Sequence, residues 1–278
     1  MKFSDTQPCW TCGERFTFLY RGNMKIKVIG CSGAEFPGHN TSAFLLNAEI
    51  LFDAGSLSNV LDEKAQLKIK NIFITHAHLD HLQSIPFLAD HITVRKLNHR
   101  VNIFSISPVL KTMKNHLFNS SLWPDFTTIP NQDDGILHLI ELKPGESLVI
   151  SNVTVTPFKV NHTVPAVGYL VEDKKEKRFF YTGDTGPTHK TWQKLKNQKI
   201  HCLIIDVSFP NNMEDMAIES GHLTPHLLEE ELLQIKPLPE HVCITHCKPQ
   251  YFKEIKAELK KIRIKNLKIL KDGVTVII

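Results

Sequence analysis

The stretch Asn71-Ile72-Phe73-Ile74-Thr75-His76-Ala77-His78-Leu79-Asp80-His81 decides how this chain is read. Its opening residues form a short apolar run of buried-strand type. His76 and His78 stand two apart, so an extended segment directs both rings to one side. Asp80 and His81 follow where the chain leaves the strand. Imidazole and carboxylate are ligand types that zinc, iron and manganese accept. Four of them within six residues are enough to hold two metal ions close together. A polar loop of solvated histidines is the plain alternative, and the density of the motif at a strand end argues against it.

Three residues farther along stand where such a site needs them, each after a strand-like segment. His162 follows VTVTPFKVN, Asp184 follows RFFYTG and His246 follows HVCIT. Any one alone reads as a capping or surface residue. With the first cluster, in this order, they complete a set of seven ligands. Fifteen histidines in 278 residues point the same way.

Composition narrows the class. Hydrophobic residues are 42% and charged residues 22%, ordinary globular usage that excludes disorder through the whole length. The longest unbroken apolar runs, Ala43–Leu46 and Cys202–Ile205, have four residues, against about 20 for a membrane helix. The opening MKFSDTQPCW lacks the apolar core of a secretory signal, so a cytoplasmic location is expected. Six cysteines in such a chain are expected to be free thiols. The net charge of +4 is too weak by itself to indicate nucleic acid.

Residues 1–23 differ from the rest and are read as an N-terminal extension of unknown role. The Cys9/Cys12 pair has no partner pair to complete a zinc or redox motif. From Met24 to residue 278 the pattern is one domain. Ser42–Asn47 and Glu49–Asp53 are predicted as a hairpin, and Ser107–Asn119 as a helix. Ser147–Val160, Ala166–Glu172, Lys177–Thr182, Cys202–Val207 and His241–Thr245 are predicted as strands. Thr224–Ile235 and a Lys-rich segment from Pro249 are predicted as helices, and GVTVII closes the chain. Arg95–Gly135 is the best candidate for an insertion. Strands in both halves with helices between them suit a layered α/β or α+β sandwich, two mixed sheets covered by helices.

These motifs resemble the metallo-β-lactamase-fold hydrolases, from Met24 to the C-terminus, which implies an αββα sandwich. Matched residue by residue, the resemblance assigns His76, His78 and His162 to one metal ion. It assigns Asp80, His81 and His246 to a second, with Asp184 bridging. Two divalent ions, zinc first with manganese or iron as alternatives, are the implied cofactors. Ions so paired supply hydroxide near neutral pH and clamp attacking and leaving oxygens. Asp184 stands where secreted β-lactamases of the commonest class carry cysteine, and His78 where flavodiiron oxidoreductases carry glutamate.

GCSGAEFPGHNTSAFLL, HAHLDHLQS, DVSFPN and SGHLTP further resemble the class II cyclic-nucleotide phosphodiesterases. The chain departs from the shorter signature after Ser84, at Pro86 and Asp90, which leaves the base open. The resemblance implies hydrolysis of a 3′,5′-cyclic nucleotide, cyclic AMP among them, to a nucleoside 5′-monophosphate. Gly221-His222-Leu223-Thr224 resembles the Gly-His-Ser-Thr motif of tRNA 3′-processing nucleases of this fold, and Asp206 matches its acidic partner. Asp80, His222 and Asp206 are therefore the expected catalytic residues, and His222, Ser208, Asn211 and His39 the expected substrate contacts. Thr224 is also a natural cap for the following helix. Related phosphodiesterases are commonly dimers, so a homodimer is the implied assembly.

Nuclease, lactone or other ester hydrolysis uses the same ligands, and a non-catalytic nucleotide-binding regulator is the rival from another class. Lys253–Lys271 carries eight basic and two acidic residues. It reads as a solvated rim, with binding of RNA or an anionic surface as the sharper alternative.

Overall fold

The computed structural model describes residues 24–278; residues 1–23, with the Cys9/Cys12 pair, lie outside the described residues. The first half builds one sheet from β1 (Lys25–Gly30), β2 (Ala43–Leu46), β3 (Ile50–Phe52), β4 (Asn71–Phe73), β5 (Val101–Ser105) and β6 (Leu137–Glu141). Its helices are α1 (Glu63–Gln66), α2 (Ile85–Val94) and α3 (Ser107–Thr112). The second half builds the other sheet from β7 (Leu148–Ile150), β8 (Val153–Lys159), β9 (Val167–Asp173), β10 (Arg178–Tyr181), β11 (Cys202–Asp206), β12 (His241–Thr245) and β13 (Leu267–Ile269). Its helices are α4 (His189–Lys194), α5 (Glu214–Ser220), α6 (Pro225–Gln234) and α7 (Phe252–Leu259). The last strand, β14 (Thr275–Ile277), crosses back to pair with β1. The strand orders are β14-β1-β2-β3-β4-β5-β6 and β13-β12-β11-β10-β9-β8-β7.

Both sheets are mixed, as expected. β3 to β6 run parallel in the first, and β10 to β13 run parallel in the second. Parallel strands buried on both faces need continuous apolar sequence, and residues 72–74 from β4 onward and residues 202–205 of β11 supply it. The outer β8 alternates instead, with Val153, Val155 and Pro157 buried and the residues between them half-exposed. Where parallel strands end together their loops converge, and this common edge carries the site.

The sheets meet over an aromatic core. Phe52 stacks on Phe73 at 5.4 Å, Phe73 on Phe104 at 4.7 Å, and Tyr169 meets Phe73 edge-on at 5.4 Å. Each buried phenylalanine contributes about 1.5–3 kcal/mol over leaving it exposed. Two polar ties join the sheets beside the site: the Tyr169 hydroxyl donates to the Ile74 carbonyl at 2.6 Å, and Val167 N–H to the Thr75 carbonyl at 3.0 Å. A second core lies outside the β7–β13 sheet, where Trp192, Leu228, Leu232 and Ile255 cover Leu203 and Ile205.

The hairpin over 42–53 forms, with Leu45 opposite Leu51. The helix from Thr224 forms too: its hydroxyl accepts Leu227 N–H and Pro225 occupies the first turn. Ser147–Val160 divides into β7 and β8 at a turn where Ser151 has φ 51°. The helix expected over 107–119 runs as α3 and then one wider turn over Met113–Leu117. The expected insertion Arg95–Gly135 is a correction. It contains β5, which sits between β4 and β6 with Ile103 opposite Ile72 on one side and Leu139 on the other. A five-residue VNIFS strand between polar loops offers little periodicity, and its burial comes entirely from neighbouring strands. Cys31, Cys202, Cys243 and Cys247 are free and buried. No helix among the described residues is long and apolar enough to cross a membrane.

Candidate metal centre

His76 and His78 leave the end of β4, Asp80 and His81 follow in a short turn, His162 follows β8, Asp184 follows β10 and His246 follows β12. The fold brings all seven together. The His76, His78, His162 and Asp184 donor atoms lie within 4.8 Å of one another, as do those of Asp80, His81, Asp184 and His246. Asp184 is common to both groups. Its Oδ2 is 3.2 Å from His81 Nε2, 3.3 Å from His246 Nε2 and 3.7 Å from His76 Nε2.

The outward ring nitrogens explain why these side chains point inward. His81 Nδ1–H donates to Asp53 Oδ2 at 2.8 Å. His76 Nδ1–H faces Thr75 Oγ1 at 3.0 Å, and that hydroxyl donates to Asp53 Oδ2 at 2.9 Å. His162 Nδ1–H donates to the Gly221 carbonyl at 2.9 Å. His246 Nδ1–H donates to Ser208 Oγ at 2.8 Å, and Ser208 donates onward to Asp206 Oδ1 at 2.6 Å. Each partner fixes the tautomer, leaving Nε2 as the lone-pair atom aimed into the cluster. His78 differs: its Nδ1 faces His162 Nε2 at 3.2 Å.

The donor set fits a pair of divalent ions. Nε2 of His76 and of His81 are buried without a hydrogen-bond partner, an expensive condition that coordination would relieve. Burial lowers His76 well below the ordinary histidine range and also lowers His78 and His162, favouring the neutral, ligating imidazole. Burial would raise Asp184, but His246 and His81 outweigh it and hold the carboxylate ionised. For His81 burial acts downward, yet Asp184 and Asp53 overcome it and raise the group. Two carboxylates facing one imidazole form a site for positive charge.

Two backbone positions are strained here. Asp53 has φ 56° and His246 φ 64°, a region that disfavours side chains other than glycine. Each carries a side chain with contacts that hold it in place.

Beside the seven lies a second arrangement. His222 Nδ1 is 2.7 Å from Asp206 Oδ2 and 3.2 Å from Ser208 Oγ, and its ring stacks on His246 at 5.2 Å. Burial pushes His222 down, but the Asp206 carboxylate overcomes this and raises it. Gly221, at φ 70°, ends α5 and presses so close to His162 that a Cβ there would lie 2.9 Å from its Nδ1.

Ser208 is fully buried, with its hydroxyl turned toward Asp206, His222 and His246. Asn211 is exposed and accepts His226 N–H at 2.8 Å, a cap on α6. His39 is half-buried with Nδ1 3.3 Å from Ser32 Oγ. Neither Asn211 nor His39 forms a hydrogen bond with any of the seven. His91 lies 3.3 Å from Glu63 on the surface. Asp53 is the residue that sequence reasoning missed. It stands directly after β3, and a lone acid in ILFDAG looks like a turn residue.

Comparison with known proteins agrees with this geometry. The Beta-lactamase superfamily domain matches residues 49–247. A 3′,5′-cyclic-nucleotide phosphodiesterase of Aliivibrio fischeri is 28% identical over 271 residues, covering 80% of this chain and 79% of the relative. A Ribonuclease Z of Archaeoglobus fulgidus is 24% identical over 297 residues, covering 86% of this chain and 92% of the relative. The crystal structure of unliganded yeast PDE1 superposes with a TM-score of 0.81 at 18% identity, over 92% of this chain and all of that one.

Proposed function

The chain belongs to the metallo-β-lactamase superfamily of hydrolases, and on that footing we propose that it is a two-metal phosphodiesterase acting on 3′,5′-cyclic nucleotides, cyclic AMP among them. The observation that carries this reading is the Asp206–His222 pair seated against the seven-residue cluster, in a chain similar to a cyclic-nucleotide phosphodiesterase over four-fifths of its length. His76, His78, His162 and Asp184 would hold one ion, and Asp80, His81, His246 and Asp184 the other. Two divalent ions there, zinc first by the donor set, would supply a nucleophile at neutral pH and charge for the phosphoryl oxygens.

The protein's own residues do the rest. Water attacks phosphorus in line and gives up a proton to the Asp80 carboxylate, the bond to the 3′ oxygen breaks, and a nucleoside 5′-monophosphate results. His222, charged and held through Nδ1 by Asp206, presents Nε2–H to the departing 3′ oxygen and gives it the proton. Ser208 ties Asp206 to His246, so the proton donor and the cluster keep a fixed separation. Asp80 is the half-exposed carboxylate of the set. A cytoplasmic location and a small-molecule partner belong to this reading, and a homodimer is its expected assembly. Similarity to a ribonuclease over 86% of the chain supports a second reading, cleavage of RNA by the same residues.

Incubating metal-loaded protein with cyclic AMP, cyclic GMP, bis(p-nitrophenyl) phosphate and a structured RNA separates these. Release of a 5′-monophosphate, lost in His78→Ala, is the expected result. Cleavage of the RNA with both cyclic nucleotides intact would replace the first reading with the second.

A further inference from the structure

The basic run Lys253–Lys271 has no part in the chemistry above, yet it borders an apolar groove away from the metal centre. Between α7 and the edge strands β13 and β14 lies a groove of about 460 Å³, within the usual range for small-molecule sites. Leu259, Leu270 and Val276 form its buried floor, and Ile262, Ile264 and Leu267 line it half-buried. Lys256 and Lys260 stand one helical turn apart on one wall, and Lys268 and Lys271 on the other. No aspartate or glutamate lines the groove. Among the described residues Lys256, Lys260 and Lys271 form no ion pair with a carboxylate.

We propose that this groove binds a single-chain fatty carboxylate, with its acyl chain on the aliphatic floor and its head among the lysines. Lysines on edge strands commonly block edge-to-edge pairing. That role explains the amines but leaves the apolar space beneath them without a purpose. An acyl chain fills such a space, and a lone carboxylate matches a rim with only positive charge. Nucleic acid suits it less, because the lining is aliphatic with Phe252 as its one aromatic side chain and offers little for bases to stack on. The groove wall continues into the metal-centre loop. Asp272, next to Lys271, accepts the backbone N–H of Cys31 at 3.1 Å and of Asn40 at 2.9 Å, and the Cys31 carbonyl accepts His246 N–H.

The test titrates full-length protein with octanoate, decanoate and dodecanoate below micelle formation, reading the isoleucine methyl resonances. Saturable shifts at Ile262, Ile264 and Ile269 are expected, with affinity rising about two- to fourfold per methylene. The double variant Lys260→Glu, Lys268→Glu should bind dodecanoate at least tenfold more weakly at unchanged melting temperature, and dodecanol should bind the wild type more weakly than dodecanoate. The proposal is overturned if dodecanoate gives no saturable shift or affinity is flat with chain length. It is equally overturned if anionic lipid vesicles, an RNA oligomer or self-association moves these methyls while dodecanoate does not. None of these readouts depends on turnover.

Discussion

His81 Nδ1 and Asp53 Oδ2 lie 2.8 Å apart with both side chains completely buried, although 28 positions separate them in the chain. The same carboxylate also accepts Thr75 N–H, the Thr75 hydroxyl and the Tyr181 hydroxyl. One residue after β3 therefore sets the orientation of His81 directly and of His76 through Thr75. It also ties the two sheets together through Tyr181. Replacing Asp53 with asparagine should reduce metal affinity about 10- to 100-fold, the usual cost of losing such a partner. Metal titration followed by calorimetry measures this, and unchanged affinity would refute the orienting role.

Asp184 touches both groups of ligands, so Asp184→Ala should lose both ions together. Elemental analysis of the purified variant reads this directly; two ions retained would contradict the bridging assignment. Chelating the wild type should lower its melting temperature, since ions that bind only the folded chain stabilise it. Restoring the metal should reverse the change.

Gly221→Ala meets two obstacles at once, a left-handed backbone and His162 Nδ1 2.9 Å from the new Cβ. The variant should lose about 1–3 kcal/mol of stability in denaturant titration. Its activity should fall further than that loss explains, because His162 must turn. Wild-type activity in a folded variant would count against the close packing.

His222→Ala should lower kcat about 10²–10⁴-fold, the range for a lost general acid, with metal content intact. Ser208→Ala leaves the imidazole in place and removes the hydroxyl that His246, His222 and Asp206 share. A smaller fall in kcat is expected, together with weaker metal binding, because the same hydroxyl orients His246. If His222→Ala instead releases a metal ion, its role is ligation.

His226 is raised above the ordinary histidine value by its hydrogen bond and charge contact with Glu214, 2.8 Å away. A raised folded pKa contributes stability that is fully present below the unfolded value near 6.5 and is lost as pH rises through the folded one. Half-exposure and salt keep that contribution small. Titration by NMR should find His226 above 6.5 and lower in Glu214→Gln. Identical curves would refute the pairing.

Much of the fold was legible because its signals are local. The hairpin over 42–53 and the capped helix after Thr224 need only alternation, a turn and a cap. β5 reads in sequence as part of an insertion because a strand enclosed on both sides owes its burial to strands elsewhere in the chain. α2 is hidden for a related reason: it begins directly after the histidine-rich turn with Pro86 in its first turn. In sequence its helical pattern is indistinguishable from a continuation of the motif.

For the site, the sequence named the seven residues that come together, and its resemblance to the metallo-β-lactamase-fold hydrolases implied their division into two groups. Each stands at a strand end, and parallel strands bring their ends to one edge. Tertiary structure alone decided what holds each ring in place. Asp53 reaches His81 across the first sheet, Ser208 reaches His246 from the neighbouring strand's loop, and the partner of His162 is the carbonyl of Gly221, 59 positions away. A backbone carbonyl has no signature in sequence, and a buried serine or aspartate resembles any other until packing gives it a partner. Ligand identity is a matter of residue type and strand ends; ligand orientation depends on contacts that exist only once neighbouring strands and their loops have packed.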